Sequence, residues 1–173
     1  MKYSKIAAGL CSVAALFASQ AFAYQSTLHR PVPTCNADET LVWDTYSFSP
    51  IHGFSAGDNI VTNIAWANFS IDKNKAQNIR NFFVQVVFGN KTQYNEHNVY
   101  VVPTGSNVQD IYWKLGVQGY DWIRFDNLDS SYYADQIKRT GKTTLGISHI
   151  DPHGEFKEYF YVEDVTIGFC SKN

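Results

Sequence analysis

The sequence predicts an all-β fold: a two-sheet antiparallel β-sandwich with jelly-roll topology. Three observations carry this. Aromatic and β-branched residues are abundant, with 11 Tyr, 12 Phe and 4 Trp in 173 residues, while Leu is scarce. Apolar side chains alternate along many segments instead of recurring every three to four residues. Gly, Pro, Asn and Asp punctuate those segments at short intervals. An immunoglobulin-like sandwich and a small barrel are the alternative ways to close such a set of strands.

Residues 24–37 contain Pro31 and Pro33 and read as an irregular lead-in. Residues 39–48 alternate in part and form the first strand. Residues 50–59, with Gly53, Gly57 and Asp58, have a loop composition. Residues 60–71 predict a strand with Ile64, Trp66 and Asn68 on one face and Ala65, Ala67 and Phe69 on the other. Neither face is wholly polar, so both are covered in part or a bulge shifts the register. Residues 72–78 make a polar turn or short helix. The apolar run 79–88 is a central strand, and 99–102 is a short one stopped by Pro103. Strands follow at 108–117 and 120–125, a short helix at 132–139, and a strand at 143–150. The Asp151-Pro152-His153-Gly154 turn precedes a long final strand over 156–169, bulged in the middle.

The first residues predict export. Lys2 and Lys5 precede an apolar run over 6–17, and Ala21-Phe22-Ala23 supplies the small-x-small cleavage pattern. Residues 1–23 read as a signal peptide of bacterial type, leaving 24–173 as a single domain, periplasmic or extracellular. The apolar run falls short of the roughly 20 residues a spanning helix needs. Leu10 before Cys11 departs from a lipobox, so no membrane insertion is expected. Without Lys2 and Lys5, 12 of the 14 basic side chains remain against 16 acidic ones, a formal charge of −4. That balance disfavours nucleic acid as a partner. Lys138, Arg139 and Lys142 form one basic cluster, read as a solvated loop.

The mature chain keeps two cysteines, Cys35 and Cys170, one near each end. In an oxidising compartment they are expected to pair, closing nearly the whole chain into a ring. The chain-entropy model puts the stabilisation at about 4–5 kcal/mol. Free thiols or a bridge between chains are the alternatives.

The segment Glu158-Tyr159-Phe160-Tyr161-Val162-Glu163-Asp164-Val165-Thr166-Ile167 resembles the closing strand of galactose-binding-like jelly rolls. That group includes many carbohydrate-binding modules. The resemblance covers about a fifth of the chain, and Glu163 departs from the Asp more usual there. It implies an N-terminal segment beside the last strand and a structural calcium held by acidic residues of both. Read on their own, Glu163 and Asp164 are consecutive, so an ideal strand sends them to opposite faces. An inward carboxylate needs a cation or several hydrogen bonds. Calcium supplies one answer, with Glu39 or Asp44 as further oxygen ligands. The other is an edge strand with both carboxylates solvated.

Tyr112, Trp113, Tyr120, Trp122, Tyr132 and Tyr133 lie close in sequence, with Arg124, Asp126 and Asn127 among them. Flat aromatic faces stack on sugar rings, and Arg, Asp and Asn bond to hydroxyls. Tyr120, Trp122, Arg124, Asp126, Asn127, Tyr132 and Tyr133 are therefore the candidate ligand-binding residues. Trp43, Trp66 and Trp113 read as core, as most sandwich tryptophans do. His149, Asp151, His153 and Glu155 alternate across the Pro-Gly turn and read as a polar rim. His52 and His97 read as exposed loop. No H-E-x-x-H helix occurs.

The expected function is thus non-catalytic carbohydrate binding, on a cell wall or a cell-surface glycan. The alternatives are a secreted protein–protein interaction or virulence-associated factor, docking on a host or envelope protein, and a small secreted glycoside hydrolase.

Overall fold

The computed structural model describes residues 33–54, 64–89, 97–104, 111–117, 122–150 and 160–172. The expected signal peptide, the turn at 151–154, and Tyr120 lie outside the described residues. Within them run β1 (Glu39–Phe54), β2 (Ala65–Ser70), β3 (Arg80–Phe88), β4 (His97–Pro103), β5 (Tyr112–Val117), β6 (Trp122–Phe125), β7 (Lys142–Ile150) and β8 (Phe160–Lys172). A 3₁₀ turn (Lys73–Ala76) follows β2, and helix α1 (Tyr132–Thr140) precedes β7.

One sheet has the order β1-β8-β3-β6 and the other β2-β7-β4-β5. All pairs are antiparallel. The pairs β4–β5, β3–β6, β2–β7 and β1–β8 are nested, as in one long hairpin, and successive pairs fall into opposite sheets. That winding is the jelly roll, the first of the three closures the sequence allowed.

The core lies between the sheets. β3 turns Phe82, Val84, Val86 and Phe88 inward, β4 turns Val99 and Val101, and β7 turns Leu145 and Ile147. On β8 the inward set is Phe160, Val162, Val165, Ile167 and Phe169, which switches from even to odd positions. The register explains the switch. Val87 pairs with Asp164 and Phe88 with Val162, so β8 carries one residue more than β3 at Glu163. This bulge leaves Glu163 exposed and keeps apolar residues inward on both sides of it. The strand lies between β1 and β3, so it is interior to its sheet and not an edge.

Three further expectations are corrected. β1 runs on through Pro50 to Phe54, where a loop was expected. β1 is an edge strand, and residues 48–51 fall where its pairing with β8 is interrupted, between Ser47 and His52. A proline in that position breaks no ladder bond. The Ser49–Pro50 peptide is cis. His52 is consequently a strand residue, its ring 4.7 Å from that of Phe54, and not a loop histidine. Trp66 is 39% exposed and Trp113 58% exposed, so neither is core.

Helix α1 is bounded by local chemistry. The Ser131 side chain accepts a hydrogen bond from Ala134 N, and Gly141 stops the helix at φ 73° with its N–H on Ile137 O. Tyr133, Ala134 and Ile137 bury its inner face. Lys138 and Arg139 therefore lie on a helix, not a loop, and Arg139 Nε stands 2.9 Å from Asp135.

Cys35 and Cys170 are bonded, at a sequence separation of 135 and with Cα atoms 5.4 Å apart. The bridge ties the chain entering β1 to the end of β8. Replacing both cysteines by serine should lower the unfolding free energy by about 2–5 kcal/mol. Urea titration of the variant beside the oxidised protein measures this, and an unchanged midpoint would show that the ring adds nothing.

Candidate functional site

The nested winding places β5 and β6 together on one open side of the sandwich, each at the end of its sheet. Between them lies a cleft of about 530 Å³. Tyr112, Trp113 and Lys114 line it from β5, Arg124 and Phe125 from β6, and Asp126 and Leu128 from the loop that follows.

Alternation aims these side chains. On β5, Tyr112 and Lys114 point toward the gap between the sheets. The Tyr112 ring is 6.2 Å from that of Tyr133, and Lys114 Nζ sits 5.8 Å from the Phe125 ring centroid. Trp113 and Leu115 point outward and are 58% and 62% exposed. On β6, Ile123 and Phe125 are buried, which leaves Trp122 and Arg124 on the outer face.

Arg124 ends a transverse row on that face. Thr45 pairs with Thr166, Thr166 with Gln85, and Gln85 with Arg124. The Thr45 and Thr166 hydroxyls are hydrogen-bonded at 2.8 Å. The Arg124 guanidinium lies 5.3 Å over the Phe83 ring, and its Nε is 2.8 Å from Asp126 Oδ1. The arginine side chain is nearly covered while the aspartate stays open to solvent. A cation held on an aromatic face and by a carboxylate is a fixed donor array.

The loop carrying Asp126 is fixed by β3. Leu128 N–H donates to Phe82 O at 2.9 Å, and Asp129 accepts from Phe82 N. Asn127 takes a left-handed conformation, φ 61°, which asparagine tolerates better than most residues.

Of the candidate ligand residues, Arg124 and Asp126 line the cleft. Asn127 is exposed beside them. Trp122 shares the outer face with Arg124, one alternation away. Tyr132 is half-buried at the start of α1, and its hydroxyl accepts from Gln136. Tyr133 is fully buried in the core, so it offers no surface to a ligand. Trp113, Tyr112 and Lys114 were not among the candidates. The signal available was Lys114 itself: a lysine alternating with Trp113 and Leu115 means that one of the two faces is not core.

The four candidate metal ligands are not brought together. Glu39 pairs with Lys172 in the ladder, while Asp164 pairs with Ser47. Eight residues of strand, roughly 27 Å, separate those rungs. Asp44 accepts from Ser70 N at 3.4 Å across the β1–β2 side. Glu39 receives Arg80 Nε at 2.9 Å and Asn36 N at 2.8 Å. Among the described residues no group of three or more His, Cys, Asp and Glu side chains is placed to hold a metal. His149 is buried against Phe160, ring centroids 4.9 Å apart, and its expected companions Asp151, His153 and Glu155 lie outside the described residues. No helix among the described residues is long and apolar enough to cross a membrane.

No family model matches the chain, and no curated protein matches it. Several solved structures are similar to it, two of which follow. One is a chain from Bacillus endospore appendages, titled as a novel family of disulfide-linked pili, with 14% identity and a TM-score of 0.30 over 82% of this chain and 99% of that one. The other is from Desmodium yellow mottle tymovirus, with 10% identity and a TM-score of 0.27 over 84% of this chain and 95% of that one.

The hydrogen bonds from Arg80 and Asn36 hold the Glu39 carboxyl down at a pKa of about 2, from 4.5. A pKa lowered in the folded state adds stability above the unfolded value, and that stability is lost as pH falls through the folded one. Glu39→Gln should therefore flatten the decline in stability between pH 4.5 and about 2, as read by urea midpoints across that window. Parallel wild-type and variant curves there would mean that the pair does not couple folding to protons.

Proposed function

We propose that this domain is an exported, non-catalytic binding module that takes carbohydrate in the β5–β6 cleft. The observation that carries the reading is a single cleft lined by Trp113, Lys114 and the fixed Arg124–Asp126 pair. A pyranose presents an apolar C–H face and a rim of hydroxyls. Trp113 supplies the stacking surface, Asp126 accepts from hydroxyls, and Lys114 and Arg124 donate to them. The cleft volume falls within the roughly 300–1,000 Å³ of small-molecule sites.

Asp126 is the one carboxylate lining the cleft among the described residues, and glycoside hydrolysis ordinarily uses two flanking the bond. The cleft acid is already held by a guanidinium, so binding should not depend on calcium. The export pattern of residues 1–23 and the Cys35–Cys170 bond support an oxidising compartment.

A protein partner is the second reading, favoured by one observation. Leu115 is 62% exposed beside Trp113 on an edge strand, and sugars have little use for an exposed leucine. The test is a glycan and polysaccharide array, run with calcium and with a chelator. Saturable binding to one sugar class in both buffers is expected, and Trp113→Ala should weaken it at least tenfold. The side chain is solvent-facing, so the variant should keep its thermal midpoint. Folded wild-type protein that binds no glycan would transfer the cleft to the protein-partner reading.

A further inference from the structure

The outer face of the β2-β7-β4-β5 sheet carries three aromatic side chains on different strands: Trp66 on β2, Tyr100 on β4 and Trp113 on β5. Their faces follow from the core. Ala65 and Ala67 are buried on β2, and Val99 and Val101 on β4, so Trp66 and Tyr100 turn outward.

The ladders fix their places. Tyr100 pairs with Trp113 on one side and with Ser148 on the other. Trp66 pairs with Gly146, which pairs with Val102. Trp66 and Trp113 are thus three strands apart, roughly 14 Å across the sheet, and displaced by one alternation along it. Tyr100 lies between, in direct cross-strand contact range of Trp113.

Trp66 is seated and not merely exposed. A Cβ at Gly146 would fall 2.9 Å from Trp66 Cζ3, 2.9 Å from Val102 Cγ2 and 2.3 Å from Ile64 Cγ2. The glycine opens a hollow that the six-membered ring of Trp66 partly fills, between two aliphatic side chains. The ring is positioned on the sheet while 39% of the residue faces solvent. One exposed polar side chain stands beside the rings: Asn68, whose carbonyl takes the Thr144 hydroxyl at 2.7 Å, while Ser148 beside Tyr100 is buried. Rings set on three separate strands, with the exposed Asn68 amide beside Trp66, suit a linear polymer of sugars.

We infer that this face is an extension of the β5–β6 cleft, and that the ligand is a polysaccharide chain lying across the strands from Trp113 over Tyr100 to Trp66. The inference rests on the carbohydrate reading of the cleft and adds to it the length of the ligand and a second anchoring residue. Trp113 belongs to both surfaces and joins them. Trp66 touches only the part of the ligand that lies beyond the cleft.

The test separates the two claims. The disulfide-intact chain is titrated with chitin, cellulose, xylan and mannan, and with their di- to hexasaccharides. Wild-type affinity should rise at least tenfold from disaccharide to hexasaccharide in one series. Trp66→Ala should abolish that rise and leave the disaccharide affinity unchanged, with Trp66→Phe restoring most of it. Trp113→Ala should weaken every length. Affinity that does not grow with length, or grows equally in Trp66→Ala, overturns the inference and leaves the cleft reading standing. Wild-type protein that binds none of the series overturns both. The thermal midpoint of each variant is measured alongside. Were Trp66→Ala to unfold, a folded Asn68→Ala variant carries the same comparison.

Discussion

The rest of the structure depends on the parity of β8. This strand lies between β1 and β3 and presents inward residues to the core along its whole length. Phe160 and Val162 are inward at even positions, and Val165, Ile167 and Phe169 at odd ones. A regular strand cannot bury both sets, because successive side chains alternate. The extra residue at Glu163 reconciles them and puts a charged side chain where the ladder is interrupted. Asp164 then falls on the outer face with Thr166, and Gly168 leaves room there for the Phe83 ring, whose atoms would lie 2.5 Å from a Cβ.

The candidate site follows from that winding. With β8 and β7 held inside their sheets, β5 and β6 are left as neighbouring edges on one side. Edge strands invite pairing with other chains, and an inward charge is one guard against it. Lys114 stands in that position, over Phe125. The same edge position leaves Trp113 open and lets Arg124 lie across Phe83 to reach Asp126. The exposed part of the cleft is thus built from residues that the core has no need to enclose.

Most strands were legible because alternation and turn residues report local geometry. The final strand and its bulge were legible, since two consecutive acids inside an apolar run send one carboxylate inward unless a bulge intervenes, while the alternative of an edge strand fails because β8 lies inside its sheet. Past Pro50 the reading failed, because proline and glycine signal a loop and only the β8 partner reveals an interrupted strand. The tryptophans were misread for a related reason. Trp66 alternates with residues that also suit a core, and which face is inward depends on the sheet opposite, while at Trp113 the alternating Lys114 was passed over. Gly146 decides where the Trp66 ring rests, and it is 80 positions away in sequence. Tyr133 erred the other way: its polar neighbours suggested a surface, but the helix turns it into the core. The acidic residues were grouped by the resemblance of the closing strand and by the alternation of Glu163 and Asp164, while the ladder register sets Glu39 and Asp164 far apart.

Deleting Glu163 tests the central claim most directly. Without the extra residue, one of the two inward sets on β8 must turn outward. Circular dichroism and urea unfolding of the deletion variant, beside Glu163→Ala, separate the residue's presence from its charge. Loss of cooperative unfolding in the deletion, with Glu163→Ala near wild type, is the predicted result. A deletion variant that unfolds cooperatively at the wild-type midpoint would contradict the account.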